Sequence, residues 1–239
     1  MIKWCHYPPI YVVFSIFRFG EDESKRTDSS GMNKDDKSNL TLLMATFKHM
    51  AKPYQLLIIP LTIWSGLEQG FFLSDFTAGF ISCLFGVDQI GWTLITYGVC
   101  DALFSLGFGV IMKYTGRPLI YVLGASINLS VIFTLMFWNL EEEKIQDQQY
   151  VLFIVAGLWG IADAVWQTQI NAFYGVLFPN DEEAAFSNYR LWESMGFLIA
   201  FILQTQVCIE AKLYVLVIVL SIGMLGYFII EFKQRKNKK

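Results

Sequence analysis

The chain has 239 residues, of which 54% are hydrophobic and 16% charged, and its formal net charge is −3. Soluble globular domains carry about 25% charged residues, so this composition, with a mean hydropathy of +0.44, excludes an ordinary soluble protein. The basic residues form no patch with interleaved aromatic side chains, so nucleic acid is not expected as a partner. The four cysteines lack metal-binding spacing, and no metal or cofactor is expected.

The apolar residues form blocks of roughly twenty, the length that an α-helix needs to cross ~30 Å of hydrocarbon. Lipid offers the backbone no hydrogen-bond partners, so such blocks must be helical. The sequence therefore predicts an all-α membrane protein with about six transmembrane helices. Their expected extents are 54–74, 89–112, 118–138, 150–173, 190–208 and 212–231.

The chain divides into four expected parts. Residues 1–40 combine a short apolar segment with a polar linker that carries both signs of charge. Residues 41–53 have the pattern of an amphipathic helix at the bilayer surface. The six-helix bundle takes residues 54–232, and residues 233–239 form a basic tail.

The basic residues indicate how the helices are oriented. Lys and Arg accumulate in cytoplasmic loops, and here they lie in alternate connections, represented by Lys48, Arg117, Arg190 and Arg235. Both termini are therefore expected in the cytoplasm. No lipidation or retrieval signal is recognised at the C terminus, and the plasma membrane is favoured over an endomembrane.

The fourth apolar block contains a polar stripe. Asp163, Gln167 and Asn171 recur every four residues, so they share one face of the helix, and Trp166 is assigned to the same surface. Polar groups inside a membrane are costly unless they face protein or water. We expect a surface that contacts a substrate or a partner; the alternative is a structural role in which Asp163 bonds another helix.

Other polar residues are expected inside the bilayer. Glu68 and Gln69 lie in the first block beside glycines, and Asp101 lies in the middle of the second block. Arg190 and Glu193 are three residues apart, so they can neutralise each other on one helix face. Functional and packing roles are both open for each of these residues.

One loop resembles a signature of the major facilitator superfamily. That signature runs Gly-x-x-x-Asp-Arg/Lys-x-Gly-Arg between the second and third helices of each six-helix half. Gly109, Gly116 and Arg117 match it at the corresponding place, whereas Lys113 stands where the acid belongs. The resemblance implies half of a twelve-helix major facilitator bundle.

Longer runs are more specific. Residues 157–171 and 183–193, together with Ser-Gly-Leu-Glu-Gln-Gly-Phe at 65–71 and Tyr-Thr-Gly-Arg at 114–117, resemble the unc-93 family, and its A branch most closely. The resemblance covers about residues 40–232 and corresponds to the seventh to twelfth helices of that family. Its founding members are regarded as regulatory subunits of a muscle potassium channel, and another branch escorts Toll-like receptors.

The resemblance implies an accessory membrane protein that regulates or escorts an ion channel, in particular a potassium channel, or a receptor. One alternative is a transporter-like solute carrier in which Glu68, Asp101 or Asp163 couples transport to protons or cations. Another is a nonfunctional truncated half. Besides the lipid bilayer, the expected partner is a missing N-terminal half or another membrane protein, either a channel or a receptor. Motifs of enzyme catalysis are absent from the sequence, so an enzyme is not expected.

Overall fold

The structure, a computed structural model, describes residues 46, 48–138 and 149–237. These residues form six long helices, and the predicted all-α class is confirmed. The predicted linker at 1–40, residues 41–45 and 47, and the end of the basic tail at 238–239 lie outside the described residues. The helices are α1 (Pro53–Phe71), α2 (Asp88–Thr115), α3 (Arg117–Phe137), α4 (Gln149–Leu177), α5 (Glu182–Gln206) and α6 (Ile209–Asn237).

Several helices extend beyond their predicted blocks, among them the first and the last. The helix that starts at α1 continues as a π-helix over Phe72–Ser82 and ends with an α-helical turn at Cys83–Phe85. π-Helices usually occupy a single turn, so apolar periodicity could not predict an eleven-residue one. At the other end, α6 continues to Asn237, and the first residues of the predicted basic tail are helical.

Five helices of the described residues are long and apolar enough to span a membrane. The sixth long helix, α5, begins at Glu182 rather than near residue 190, and it carries Glu183, Arg190 and Glu193 as well. It is long enough to span but less apolar than the others. The five helical stretches that qualify are Pro53–Ser82, Asp88–Thr115, Arg117–Phe137, Tyr150–Leu177 and Ile209–Lys236.

The helices pack in two groups, which meet where α4 contacts α1 and α5 and where α3 contacts α6. The first helix packs against α5 and α6, whereas α4 packs against α2 and α3. Edge-to-face packing of Trp64 on Trp166, with ring centroids 6.2 Å apart, joins α1 to α4. Both indoles are fully buried, and aromatic pairs of this geometry contribute about 0.5–1.5 kcal/mol beyond the area they bury.

The contact between α1 and α5 depends on two glycines. A Cβ atom at Gly66 would overlap the Glu193 carbonyl group, and a Cβ atom at Gly196 would overlap the Ile63 carbonyl group. Inside lipid, where no hydrophobic effect drives helices together, small residues allow the close backbone approach that van der Waals packing requires. The two glycines therefore hold the less apolar α5 against the centre of the bundle.

The segment before α1 is docked on the connection between α4 and α5. His49 is 2% exposed, and its ring meets the edge of Phe178 at a centroid distance of 4.4 Å. Lys52 forms an ion pair with Asp181, and the Asn188 side-chain amide donates to the Thr46 carbonyl oxygen at 2.9 Å. The described part of the predicted amphipathic segment thus packs on protein.

The docked segment contains a pH-sensitive contact. Burial lowers the pKa of His49, and the positive charge of Lys52 lowers it further, while Asp181 opposes these effects. The hydrogen bond and charge of Lys52 lower the pKa of Asp181. The released segment therefore binds a proton at His49 more readily than the docked one, so docking weakens as the pH falls through about 6.5, the ordinary value for histidine.

We predict that lowering the pH from about 7.5 to about 5.5 releases this segment, because His49 must then carry a charge in a buried site. Asp181 stays ionised across that window, so Lys52 keeps its partner. Hydrogen exchange at residues 48–52, corrected for intrinsic rates, should lose protection at the lower pH. His49→Phe keeps the aromatic contact without the titration and should abolish the pH effect; an equal effect in that variant would contradict the assignment.

Candidate functional site

The polar stripe of α4 faces the centre of the bundle at Asp163, which is 3% exposed. Its Oδ1 accepts a hydrogen bond from the Gln69 side-chain amide at 2.8 Å. Its Oδ2 accepts a hydrogen bond from the Tyr97 hydroxyl. A single carboxylate on α4 therefore binds both α1 and α2.

Glu68 lies beside this carboxylate. It is fully buried, and the carboxyl of Asp163, the indole of Trp159 and the amide of Asn128 lie within interaction range of its carboxyl. Neither of its oxygens has a hydrogen-bond partner of good geometry among the described residues. The sequence predicted Glu68 and Asp163 as separate intramembrane acids, and the structure brings them together.

The next part of the stripe turns to α5. Gln167 donates to Glu193 Oε1 at 3.0 Å, and the Tyr189 hydroxyl donates to the same oxygen at 2.8 Å. Arg190 donates to Glu193 Oε2 at 2.7 Å, which gives the ion pair predicted from their spacing. Only 7% of the Glu193 side chain is exposed, against 67% of Arg190, so the acid is buried while the guanidinium reaches the surface.

The remaining stripe residues have different surroundings. Asn171 is half-buried, and its amide donates to the Gln167 carbonyl oxygen one turn earlier and to the Tyr189 hydroxyl at 3.4 Å. Trp166 is fully buried, and its indole N–H donates to Asn128 Oδ1 at 2.7 Å on α3. The tryptophan therefore bonds α3 and packs on Trp64 of α1, whereas the interhelical hydrogen bonds of the other stripe residues go to α1, α2 and α5.

Asp101 lies one helical turn after Tyr97 on α2. It is half-buried and accepts a hydrogen bond from Ser105 at 3.2 Å. It does not share in the hydrogen bonds that the structure shows around Asp163. A carboxyl at mid-span with partial exposure is costly in lipid, so this part of α2 is suited to a protein neighbour.

The predicted motif loop forms the turn between α2 and α3. Gly116 has φ of +79°, a conformation that side chains disfavour, and its N–H bonds the Met112 carbonyl at 3.1 Å. Arg117 lies over the Phe173 ring at 5.1 Å, which ties the loop to α4. Lys113 is exposed, and Gly109 has open space around it.

A buried ion pair between Asp75 and Lys212 was missed by the sequence reasoning. Asp75 lies in the π-helix, Lys212 lies in the first turns of α6, and each is 4% exposed. The predicted first block ends one residue before Asp75, and Lys212 is the first residue of the predicted last block. An acid and a base at the edges of two apolar blocks were the available signal, but only the fold shows that they meet.

We predict that Asp75→Leu destabilises the bundle by about 3–5 kcal/mol, because it leaves a buried Lys212 ammonium without its partner. The double variant Asp75→Leu with Lys212→Met removes both charges and should recover most of the loss. Thermal unfolding in detergent measures both effects. A double variant no more stable than Asp75→Leu alone would show that the pairing is not the source of the loss.

The described residues hold no group of three His, Cys, Asp or Glu side chains that could bind a metal ion. What they show is an α-helical membrane bundle with a buried cluster of polar side chains around α4. A family model described as "Ion channel regulatory protein UNC-93" matches residues 10–228. The chain belongs to the UNC-93 family, and the resemblance found in the sequence is confirmed.

Several curated proteins are similar to this chain. Protein unc-93 homolog A of Danio rerio is 40% identical over 228 residues, which cover 95% of this chain and 48% of that protein. Protein unc-93 homolog A of Homo sapiens is 44% identical over 195 residues, covering 82% and 42%. The "Putative potassium channel regulatory protein unc-93" of Caenorhabditis elegans is 38% identical over 205 residues, covering 85% and 28%. The chain spans about half the length of the homolog A relatives it matches.

Proposed function

We propose that this chain is a multi-pass accessory protein that regulates or escorts an ion channel or a receptor, with a potassium channel as the first candidate. The observation that carries the proposal is membership of a family described as ion channel regulatory. The name of the Caenorhabditis elegans relative supports the potassium channel. The positions of Lys48, Arg117, Arg190 and Arg235 support an orientation with both termini in the cytoplasm, and the plasma membrane is the proposed location.

We assign the exposed surface of α2 as the face that contacts the partner. Only 6% of its most apolar stretch is buried, against 61% for α1 with its π-helix. It is also the helix that carries half-buried Asp101. A charged side chain at mid-span costs about 2.5–3.5 kcal/mol when it faces lipid, and a membrane helix of the channel that covers α2 would remove that cost.

The test is site-specific photo-crosslinking in native membranes. Leu103 on α2 and Leu225 on α6 are both 63% exposed, so a photoreactive amino acid at either position has the same access to neighbours. We expect position 103 to capture a channel or receptor polypeptide, identified by mass spectrometry, and position 225 to capture lipid. Equal capture at both positions, or capture only of a further part of the same protein, would contradict the proposed docking face.

A second candidate function is a solute carrier, favoured by the contact between two buried carboxyls, Glu68 and Asp163. Proton-coupled carriers use membrane acids of this kind to bind and release protons. The carrier function predicts proton-coupled uptake of a solute, which the accessory function does not require.

If the chain is a carrier, Asp163→Asn should abolish proton-coupled uptake, because it removes one of the two carboxyls between which the transported proton would be held. Cells carrying a pH-sensitive fluorescent protein are offered panels of amino acids, sugars and organic cations, and acidification is recorded. Glu182→Gln, an exposed change on α5, is the matched control. Uptake that is equal in both variants removes Asp163 from any carrier mechanism.

A further inference from the structure

The side chains around Glu68 and Asp163 leave the two carboxyls without a counter-ion. Neither forms an ion pair with a lysine, arginine or histidine of the described residues. Both acids are almost completely buried, and each carboxyl lies within interaction range of the other. Two like charges in a low-dielectric interior disfavour each other strongly, and a pair of carboxyls resolves this by holding one proton.

The hydrogen-bond partners favour Asp163 as the ionised acid. Asp163 receives two donors, the Gln69 amide at one oxygen and the Tyr97 hydroxyl at the other. An ionised carboxylate is an acceptor only, so this arrangement suits the anion. Glu68 has no such pair of bonds among the described residues, although it lies next to Asp163. A protonated Glu68 can donate to the ionised Asp163.

The surroundings of Glu68 also supply unmet polar groups. Asn128 and Trp159 are fully buried, and the Asn128 Nδ2 and Trp159 Nε1 atoms have no partner among the described residues. The Asn128 amide is oriented by the Trp166 indole, which donates to its oxygen, so its N–H groups are left for Glu68. Buried donors without partners are rare in folded proteins, and here both lie beside the same carboxyl. The carbonyl oxygen of a protonated Glu68 has two lone pairs for these donors, while its hydroxyl donates to Asp163.

From this geometry we infer that Glu68 and Asp163 form a binding site for one exchangeable proton at the junction of α1, α2 and α4. Glu68 carries the proton, and Asp163 is the anion that accepts from it. A metal cation does not suit the site, because hard cations need several oxygen ligands and the neighbours from Asn128, Trp159, Gln69 and Tyr97 include four N–H or O–H donors.

The protonation state of the site affects how α1, α2 and α4 pack together. Tyr97 bonds the same carboxylate that accepts the Glu68 proton. Loss of the proton places a second negative charge beside Asp163, and the repulsion acts on the contact that links α1 to α4. The inference stands apart from the accessory and carrier roles, because the pair binds a proton whether or not the chain recruits a partner or moves a solute.

Infrared spectroscopy of the purified chain in lipid nanodiscs tests this site. At about pH 7 an ordinary glutamic acid is ionised, so the carbonyl stretch of a protonated carboxyl, at an intensity of one per chain and shifted by deuterium exchange, is expected from Glu68. Glu68→Gln should remove that band. Asp163→Asn should keep it at a shifted frequency, because Glu68 stays protonated while its acceptor changes.

Two matched variants separate this band from other acids. Asp101→Asn removes the half-buried acid on α2, and Glu183→Gln removes an exposed acid on α5; both should leave the band at full intensity. Absence of the band in the unaltered protein overturns the inference without recourse to any variant. Loss of the band in Asp101→Asn, or its survival in a folded Glu68→Gln protein, also overturns it.

Discussion

The bundle depends on one constraint: inside the membrane, a polar side chain must find its partner within the protein. Side chains of α4 provide hydrogen-bond partners for polar side chains of the neighbouring helices. Asp163 accepts hydrogen bonds from α1 and α2, and Gln167 donates to Glu193 of α5. Two groups of helices, α1 with α5 and α6 and α4 with α2 and α3, are thereby connected through side chains on a single helix face.

The same constraint explains why the stripe does not act as one surface. Asp163 bonds α1 and α2, whereas Gln167 bonds α5. Trp166 bonds Asn128 on α3. In lipid such interhelical bonds contribute about 0.6–2 kcal/mol each, so they specify which helices are neighbours more than they add stability. A structural role and a functional one therefore coexist here: hydrogen bonds hold the helices, while the Glu68–Asp163 pair keeps a titratable group available.

Much of the architecture could be predicted from block length, because a run of apolar residues of the right length has only one solution in lipid. The stripe and the Arg190–Glu193 pair were also accessible, since each follows from spacing along one helix. Long-range contacts were not. Neither the approach of Glu68 to Asp163 nor the pairing of Asp75 with Lys212 has a periodic signal, and the direction of Trp166 is set by packing on α3.

The low apolar content of α5 has a consequence for how the protein is made. A helix that carries Glu182, Glu183, Arg190 and Glu193 enters a bilayer less readily on its own than its neighbours do. Gly66 and Gly196 give it a fitted surface on α1, a helix that emerges earlier from the ribosome. Insertion of α5 during synthesis thus depends on a helix already in the membrane. A bulkier residue at either glycine therefore impairs the insertion of α5, so that the misoriented chain is recognised by quality control in the cell.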